Sequence, residues 1–113
     1  MTTTKFRSIA LSMEEASEGS HMGHPDFRVG GKIFATLGYP DAGSGVVMLT
    51  AEEQEEFVRA QPKVFRPAAG AWGRRGSTVV RLDALDAATL RRAITLAWKT
   101  RAPKRLTRQH APD

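Results

Sequence analysis

The amino-acid sequence predicts one α+β domain, in which a mainly antiparallel sheet of about five strands carries the N- and C-terminal helices on one face. Apolar residues recur at helical spacing in residues 6–13 and again in residues 90–98. Short β-prone runs separated by glycines lie between these two segments. A length of 113 residues suits a single domain over 1–113 that folds without disulfides or metal. We expect residues 1–4 and 107–113 to fray.

The first helix is predicted over residues 4–16, where Phe6 and Met13 lie on one face. Gly19 is expected to end it, because glycine is a poor helix former. Residues 18–24 contain two glycines, Gly19 and Gly23, between polar and apolar residues, which suits a short first strand better than a helix. An N-terminal helix followed directly by a strand is therefore expected.

A β-hairpin is predicted where two apolar runs, 27–29 and 33–37, flank Gly30-Gly31. Glycine tolerates the positive φ that a tight hairpin turn requires. The register has two alternatives. A two-residue turn pairs Val29 with Lys32 and Phe27 with Phe34. A three-residue turn with a bulge instead aligns Phe27, Val29, Ile33 and Ala35 on a single apolar face. The pattern leaves both alternatives open.

Further strands are predicted over 46–49 and 77–82, with a brief edge strand over 64–66. The segment 68–75 is rich in glycine and alanine, so we expect it to be mobile. Its anchor is expected to be Trp72, because a tryptophan in such a pattern is more often buried than exposed.

A helix start is predicted by the capping box of Thr50 and Glu53, in which each side chain accepts a hydrogen bond from the other residue's backbone N–H. This helix must end by Gln61, because Pro62 follows. Its early glutamates complement the positive end of the helix dipole, so the acidic cluster has a sufficient structural explanation.

The last helix is predicted from Asp83 or Asp86 to about Arg101. Its apolar stripe includes Trp98, which we expect to lie in one core with Phe6 of the first helix. Such a core joins both terminal helices to one face of the sheet.

Composition excludes several classes of site. The chain has no cysteine, so it has no disulfide framework, thiolate nucleophile or cysteine-based zinc site. It also has no apolar run long enough for a signal peptide or a membrane span. We therefore expect a cytoplasmic monomer without a membrane partner.

Several motifs together resemble the MmcQ/YjbR-like family of small bacterial proteins over about 6–106. They are His24–Ala35, Thr50–Gln54, Trp72-Gly73, Gly76–Val80 and the stretch from Ala97 to Lys104. The resemblance implies a double-wing, frataxin-like α+β fold, which agrees with the pattern of helices and strands. Members are usually described as DNA-binding-like, without an established substrate or reaction.

The charges of the chain are strongly polarised. Residues 1–58 hold four basic and nine acidic side chains, whereas residues 59–113 hold thirteen basic and three acidic ones. Such asymmetry favours a polyanionic partner such as nucleic acid. The alternative is that the basic half neutralises the acidic half within the folded domain.

Two groups of basic residues are candidates for phosphate contacts, since arginine binds phosphate oxygens in a bidentate manner. The first group surrounds the short turn of Arg74-Arg75, which is flanked by glycines and can serve as a wing. The second group runs along the last helix and beyond it, from Arg91 to Arg108, without an acidic residue in between. Trp72 and Phe34 can stack on bases, although the core is the commoner place for both. The predicted contacts are Arg66, Arg74, Arg75, Arg81, Arg91, Arg92, Lys99, Lys104 and Arg105, with Lys63, Arg101 and Arg108 nearby.

Other chemistries find no support in the motifs. His21, His24 and Asp26 are possible metal ligands by type, but strand parity predicts that the two histidines project to opposite faces, so we expect no metal and no cofactor. Gly43-Ser44-Gly45 lacks the lysine of a phosphate-binding loop. The leading hypothesis is therefore a non-catalytic DNA-binding module with weak, largely sequence-independent contacts. A protein-interaction adaptor and a small-ligand-binding protein or enzyme are the alternatives.

Overall fold

The computed structural model describes residues 1–109 and has the predicted α+β class. Its single sheet has six antiparallel strands in the order β1-β2-β3-β4-β6-β5. The count exceeds the predicted five because the brief edge strand is a full member of the sheet. The elements are α1 (Thr3–Leu11), β1 (Ser17–His21), β2 (His24–Val29), β3 (Lys32–Leu37), β4 (Ser44–Met48), α2 (Ala51–Ala60), β5 (Phe65–Pro67), α3 (Gly70–Arg75), β6 (Ser77–Arg81), a 3₁₀ turn (Leu82–Ala84), α4 (Ala87–Arg101) and α5 (Lys104–Gln109).

The main core lies between one face of the sheet and helices α1 and α4. Phe6 and Ile9 of α1 are buried with Leu90, Ile94 and Trp98 of α4, as the helical spacing predicts. The indole N–H of Trp98 donates to the backbone carbonyl of Glu14 at 3.0 Å. This bond ties the long helix to the segment that follows α1.

Helix α1 is shorter than predicted. It ends at Leu11 because the hydroxyl of Ser12 donates to the carbonyl of Ile9 at 2.6 Å and the backbone N–H of Ser12 also caps the last turn. Met13 lies beyond the helix but still packs against the core. The first strand then begins at Ser17, upstream of the glycine that was expected to end the helix.

The hairpin combines features of both predicted registers. Gly30 and Gly31 have φ values of 58° and 78°, and the two-residue turn pairs Val29 with Lys32. The register then shifts, because Phe27 pairs with Ala35 and leaves Phe34 as an extra residue in β3. This β-bulge turns Phe34 into the core, where it is fully buried.

Helices α2 and α4 begin where their caps predict. The Thr50 hydroxyl accepts from the Glu53 N–H at 3.1 Å and the Glu53 carboxylate accepts from the Thr50 N–H at 2.9 Å. Of the two candidate starts for α4, Asp86 is the cap, because its carboxylate accepts from the Thr89 N–H at 2.7 Å. That bond also lowers the pKa of Asp86.

Three differences concern the predicted loops and ends. Residues 70–75 form helix α3, where composition indicated no regular element, and the expected mobility of 68–75 stays a prediction. Of the segments expected to fray, Thr3 and Thr4 lie in α1, and 107–109 lie in α5 directly after the buried Leu106. Residues 110–113 lie outside the described part of the chain, and the fraying itself stays a prediction.

Candidate functional site

Helix α3 is held against the second face of the sheet, opposite the main core. The side-chain amide of Gln54 donates to the carbonyls of Gly73 and Ser77 at 2.9 and 3.0 Å, which ties α2 to α3 and to the start of β6. Gly73 packs so closely on the Ala68 carbonyl that a Cβ there has no room. Gly76 has a φ of 120°, which L side chains rarely adopt, and it lies against the backbone of Leu49. These contacts fix α3 in place.

The contacts of α3 leave Trp72 pointing outward, with 61% of its surface exposed. The expectation that Trp72 is a buried anchor is therefore wrong. Its neighbour Gly73 is the residue of α3 that packs closely, because only a residue without a side chain fits against the backbone of Ala68. The same expectation is confirmed for Phe34, which is fully buried.

A groove of about 460 Å³ lies beside Trp72 on this second face of the sheet, and we call it the sheet groove. Its surface is mainly apolar, with Tyr39 and Met22 both exposed at 45% and 93%. The ring of His24 packs edge-on against Tyr39, with ring centroids 6.0 Å apart. The lining residues are His21, Met22, His24, Ile33, Thr36, Tyr39, Val46, Met48, Ala68 and Trp72.

Thr36 is the buried polar residue of the sheet groove. It is 4% exposed, and its hydroxyl oxygen is buried without a hydrogen-bond partner among the described residues. An unpaired buried hydroxyl is costly, so most are satisfied in folded proteins. Thr78 of β6 illustrates the usual case, because its hydroxyl donates to the Gly76 carbonyl at 2.7 Å.

A second pocket, of about 560 Å³, is also lined by Trp72, and we call it the arginine pocket. Arg75 from the end of α3 and Arg101 from the end of α4 both line it. The Nε of Arg101 is buried without a hydrogen-bond partner within residues 1–109. The first turn of α2 adds the positive end of a helix dipole, which the carboxylate of Glu52 in that turn opposes. The two guanidinium groups are therefore the main positive charges of the pocket.

The two pockets are adjacent, because both are lined by Trp72, Ile33 and Met48. Trp72 thus lines both an apolar cleft and a cleft that contains two arginines. Arg75 belongs to the first predicted basic group and Arg101 to the second, so the fold joins residues that are far apart in the sequence.

The other residues of the first basic group divide between two places. Arg66 and Arg81 line a separate pocket, together with Asp41 and Asp83. The Arg81 guanidinium donates to the Asp83 carboxylate at 3.1 Å, so part of its charge is compensated. Arg74 is exposed at the end of α3, where the sequence indicated a turn rather than a helix.

The second basic group lies along α4 and α5. Arg91, Arg92 and Lys99 are exposed on α4, and Lys104 is exposed at the start of α5. Arg105 makes two hydrogen bonds of 2.7 Å to the carboxylate of Glu15, which lower the pKa of Glu15 and raise that of Arg105. Arg105 is thus engaged within the protein. All nine predicted contact residues are exposed, but they do not form one surface cluster around a single pocket.

A charged cluster borders the sheet groove at its β1–β2 side. Asp26 is fully buried, and its carboxylate accepts hydrogen bonds of 2.7 and 3.0 Å from the guanidinium of Arg28. The Nδ1 of His21 lies 2.8 Å from Oδ2 of the same carboxylate, the oxygen that also accepts the 3.0 Å bond from Arg28. The hydrogen bonds from Arg28, and secondarily that of His21, hold the pKa of Asp26 below its ordinary value.

The predicted separation of the two histidines is wrong. The chain turns at Met22 and Gly23, whose φ values of 50° and 80° are those of a tight hairpin. His21 and His24 therefore pair across β1 and β2, with ring centroids 6.5 Å apart. Within residues 1–109, no three histidine, aspartate or glutamate side chains assemble as a possible metal site. That part of the chain also contains no helix long and apolar enough to cross a membrane.

Residues 11–100 match the model of the YjbR family. The chain belongs to the YjbR family. The crystal structure of the Deinococcus radiodurans protein DR2400, which carries a DUF419 domain, is similar to this YjbR protein with a TM-score of 0.71. The two share 20% sequence identity, and the similarity covers 99% of this chain and 90% of the other, so it supports the fold alone. No curated protein matches this YjbR chain.

Sequence reasoning missed most of the sheet groove of this YjbR protein. Tyr39 and Thr36 come from one strand and the loop after it, whereas Trp72 comes from a helix that composition did not indicate. The available signal was the Trp72-Gly73 pair, because a glycine that must pack against the sheet leaves the adjacent residue facing outward.

Proposed function

We propose that this YjbR protein binds nucleic acid weakly and with little base specificity, through phosphate contacts from arginine side chains. The observation that supports the proposal is the position of Trp72, exposed between the sheet groove and the pocket of Arg75 and Arg101. Guanidinium groups bind phosphate oxygens, and an exposed aromatic ring offers a stacking surface for a base. Both elements of nonspecific nucleic-acid binding therefore lie next to each other.

The other basic residues contribute unequally in this proposal. Arg74, Arg91, Arg92, Lys99 and Lys104 are exposed and add long-range attraction for a polyanion. The remaining three predicted contacts are weaker candidates, because carboxylates accompany them: Arg66 and Arg81 lie beside Asp41 and Asp83, and Arg105 is bound to Glu15. The net charge of +5 favours the same class of partner.

Fluorescence anisotropy with two unrelated duplexes and one single strand, at low and moderate salt, tests the proposal. We expect dissociation constants on the order of micromolar or weaker, with log K falling by about 0.9 per phosphate contact for each log unit of salt. Arg75→Ala should weaken binding to unrelated sequences similarly, by about tenfold at low salt, and should flatten the salt slope.

The matched control is Arg59→Ala, which removes the same charge from the exposed side of α2. Arg59 pairs with Glu55 at 2.7 Å and lines neither pocket beside Trp72. An equal effect of the two substitutions would show that only net charge matters and would contradict the assignment to the arginine pocket. If nothing binds at low salt with high micromolar protein, the nucleic-acid proposal is wrong and the adaptor alternative replaces it.

A further inference from the structure

We infer that the sheet groove accommodates one unpaired base of a single-stranded nucleic acid while a phosphate of the same strand lies in the arginine pocket. This inference rests on the proposed nucleic-acid binding and specifies its substrate class. It predicts that the protein prefers single strands to duplexes.

The size and surface of the groove suit a planar aromatic ligand. Its volume of about 460 Å³ lies in the range of small-ligand sites in proteins. Four aromatic rings line it, those of Trp72, Tyr39, His24 and His21. Val46 and Met48 add apolar surface. Every base has an aromatic face, so stacking on such rings gives affinity with little sequence preference.

The adjacency of the two pockets selects a nucleotide over a purely apolar ligand. Trp72 lines both pockets, so a base stacked on the groove side of its ring has its phosphate close to Arg75 and Arg101. The buried Nε–H of Arg101 has no protein acceptor within residues 1–109. No acidic residue is among the described residues that line this pocket, so a phosphate provides the negative charge that its two arginines lack.

Thr36 provides the polar contact that an apolar groove needs to orient a base. Thr36 lines the groove, and its hydroxyl has no hydrogen-bond partner to lose among residues 1–109. Rotation of the side chain toward a ligand therefore breaks no protein hydrogen bond. The hydroxyl can both donate and accept, which fits any of the bases.

A paired base cannot enter the groove, because its faces are covered by its neighbours in the duplex and its edge is paired. Recognition of unpaired bases by stacking on aromatic side chains is the common mode for single strands. The arginine pocket, in contrast, can contact the phosphates of either form.

The test uses the intrinsic fluorescence of the two tryptophans together with anisotropy. Trp98 is fully buried, so quenching by an added oligonucleotide reports on Trp72. Single-stranded DNA, single-stranded RNA and a duplex of the same length are titrated into the wild-type protein and into the Trp72→Ala and Arg75→Ala variants. Circular dichroism verifies that both variants are folded, as the exposure of both residues leads us to expect.

We expect single strands to quench the fluorescence and to bind about tenfold more tightly than the duplex. Trp72→Ala should abolish this difference, because it removes the stacking surface and weakens single-strand binding about tenfold more than duplex binding. Arg75→Ala should weaken both forms. The DNA and RNA arms distinguish the two sources of the strand.

Equal affinity for both forms, unchanged by Trp72→Ala but lowered by Arg75→Ala, would refute the base-binding groove and leave the proposed phosphate binding intact. Absence of binding by any of the three oligonucleotides would refute both. Quenching that persists in Trp72→Ala would place the bound base elsewhere and would also refute the inference.

Discussion

Substitution of Thr36 by valine should stabilise the protein, although it removes a polar group from a β-strand. The hydroxyl is buried without a hydrogen-bond partner within residues 1–109, and relieving such a group is worth about 1 to 3 kcal/mol. The methyl group that replaces it would add about 0.8 kcal/mol if it were fully packed. Because the cavity next to Thr36 removes most of that packing benefit, we expect a net gain of about 1 to 3 kcal/mol.

Thr78→Val is the matched control, because Thr78 is also a buried strand threonine but its hydroxyl donates to the Gly76 carbonyl at 2.7 Å. Loss of that bond costs about 0.5 to 1.5 kcal/mol, and the added methyl group is common to both variants. The free energies of unfolding of the two variants should therefore differ by about 1.5 to 4.5 kcal/mol. For a domain of this size the difference corresponds to roughly 6 to 18 °C in Tm.

Urea denaturation followed by circular dichroism, with thermal melts in parallel, measures both variants against the wild type. If Thr36→Val destabilises the protein as much as Thr78→Val, the hydroxyl of Thr36 has a partner in solution and the reasoning fails. If Thr36→Val raises the free energy of unfolding and Thr78→Val lowers it, the wild-type protein retains Thr36 at a cost in stability.

Three further substitutions test the core, the position of α3 and the buried carboxylate. Trp98→Ala should cost about 3 to 5 kcal/mol because the indole is fully buried, and a loss below about 1 kcal/mol in urea denaturation would contradict its place in the core. Gly73→Ala should cost about 1 to 3 kcal/mol and shift the Trp72 emission, since a Cβ has no room against the Ala68 carbonyl; an unchanged emission and Tm would show that α3 packs less closely. The lowered pKa of Asp26 implies stabilisation that is complete well above the ordinary value of 3.8 and is lost as the pH falls through 3.8 toward the lower folded-state pKa. Asp26→Asn should therefore flatten the acid limb of the unfolding free energy, and an acid limb identical to that of the wild type would refute this role.

The elements that the sequence predicted well are those with strong local signals. The capping box at Thr50 and the cap at Asp86 each satisfy backbone groups within one turn, so their effect does not depend on the rest of the fold. The stripe that includes Ile94 and Trp98 has helical spacing long enough to exclude a strand. Family motifs and periodicity together were sufficient for the fold class.

The candidate site depends on contacts that no local pattern contains. Helix α3 is short and glycine-rich, and it is held by the amide of Gln54, which lies about twenty residues earlier in the chain. Arg75 and Arg101 meet because the ends of two helices lie at one end of the sheet. The prediction that His21 and His24 project to opposite faces was wrong, because the chain turns between them. That turn has methionine at a position of positive φ, where glycine or asparagine is the usual signal.

The bulge in β3 also determines which side chains form the groove. Ile33 and Thr36 are three residues apart, a spacing that places side chains on opposite faces of a regular strand. Because Phe34 is an extra residue, Ile33 pairs with Arg28 and Thr36 with Asp26, and both line the groove. Deletion of one residue here would keep the order of the strands but exchange one of these side chains for a core residue. The length of β3 is thus as decisive for the groove as the identity of any residue that lines it.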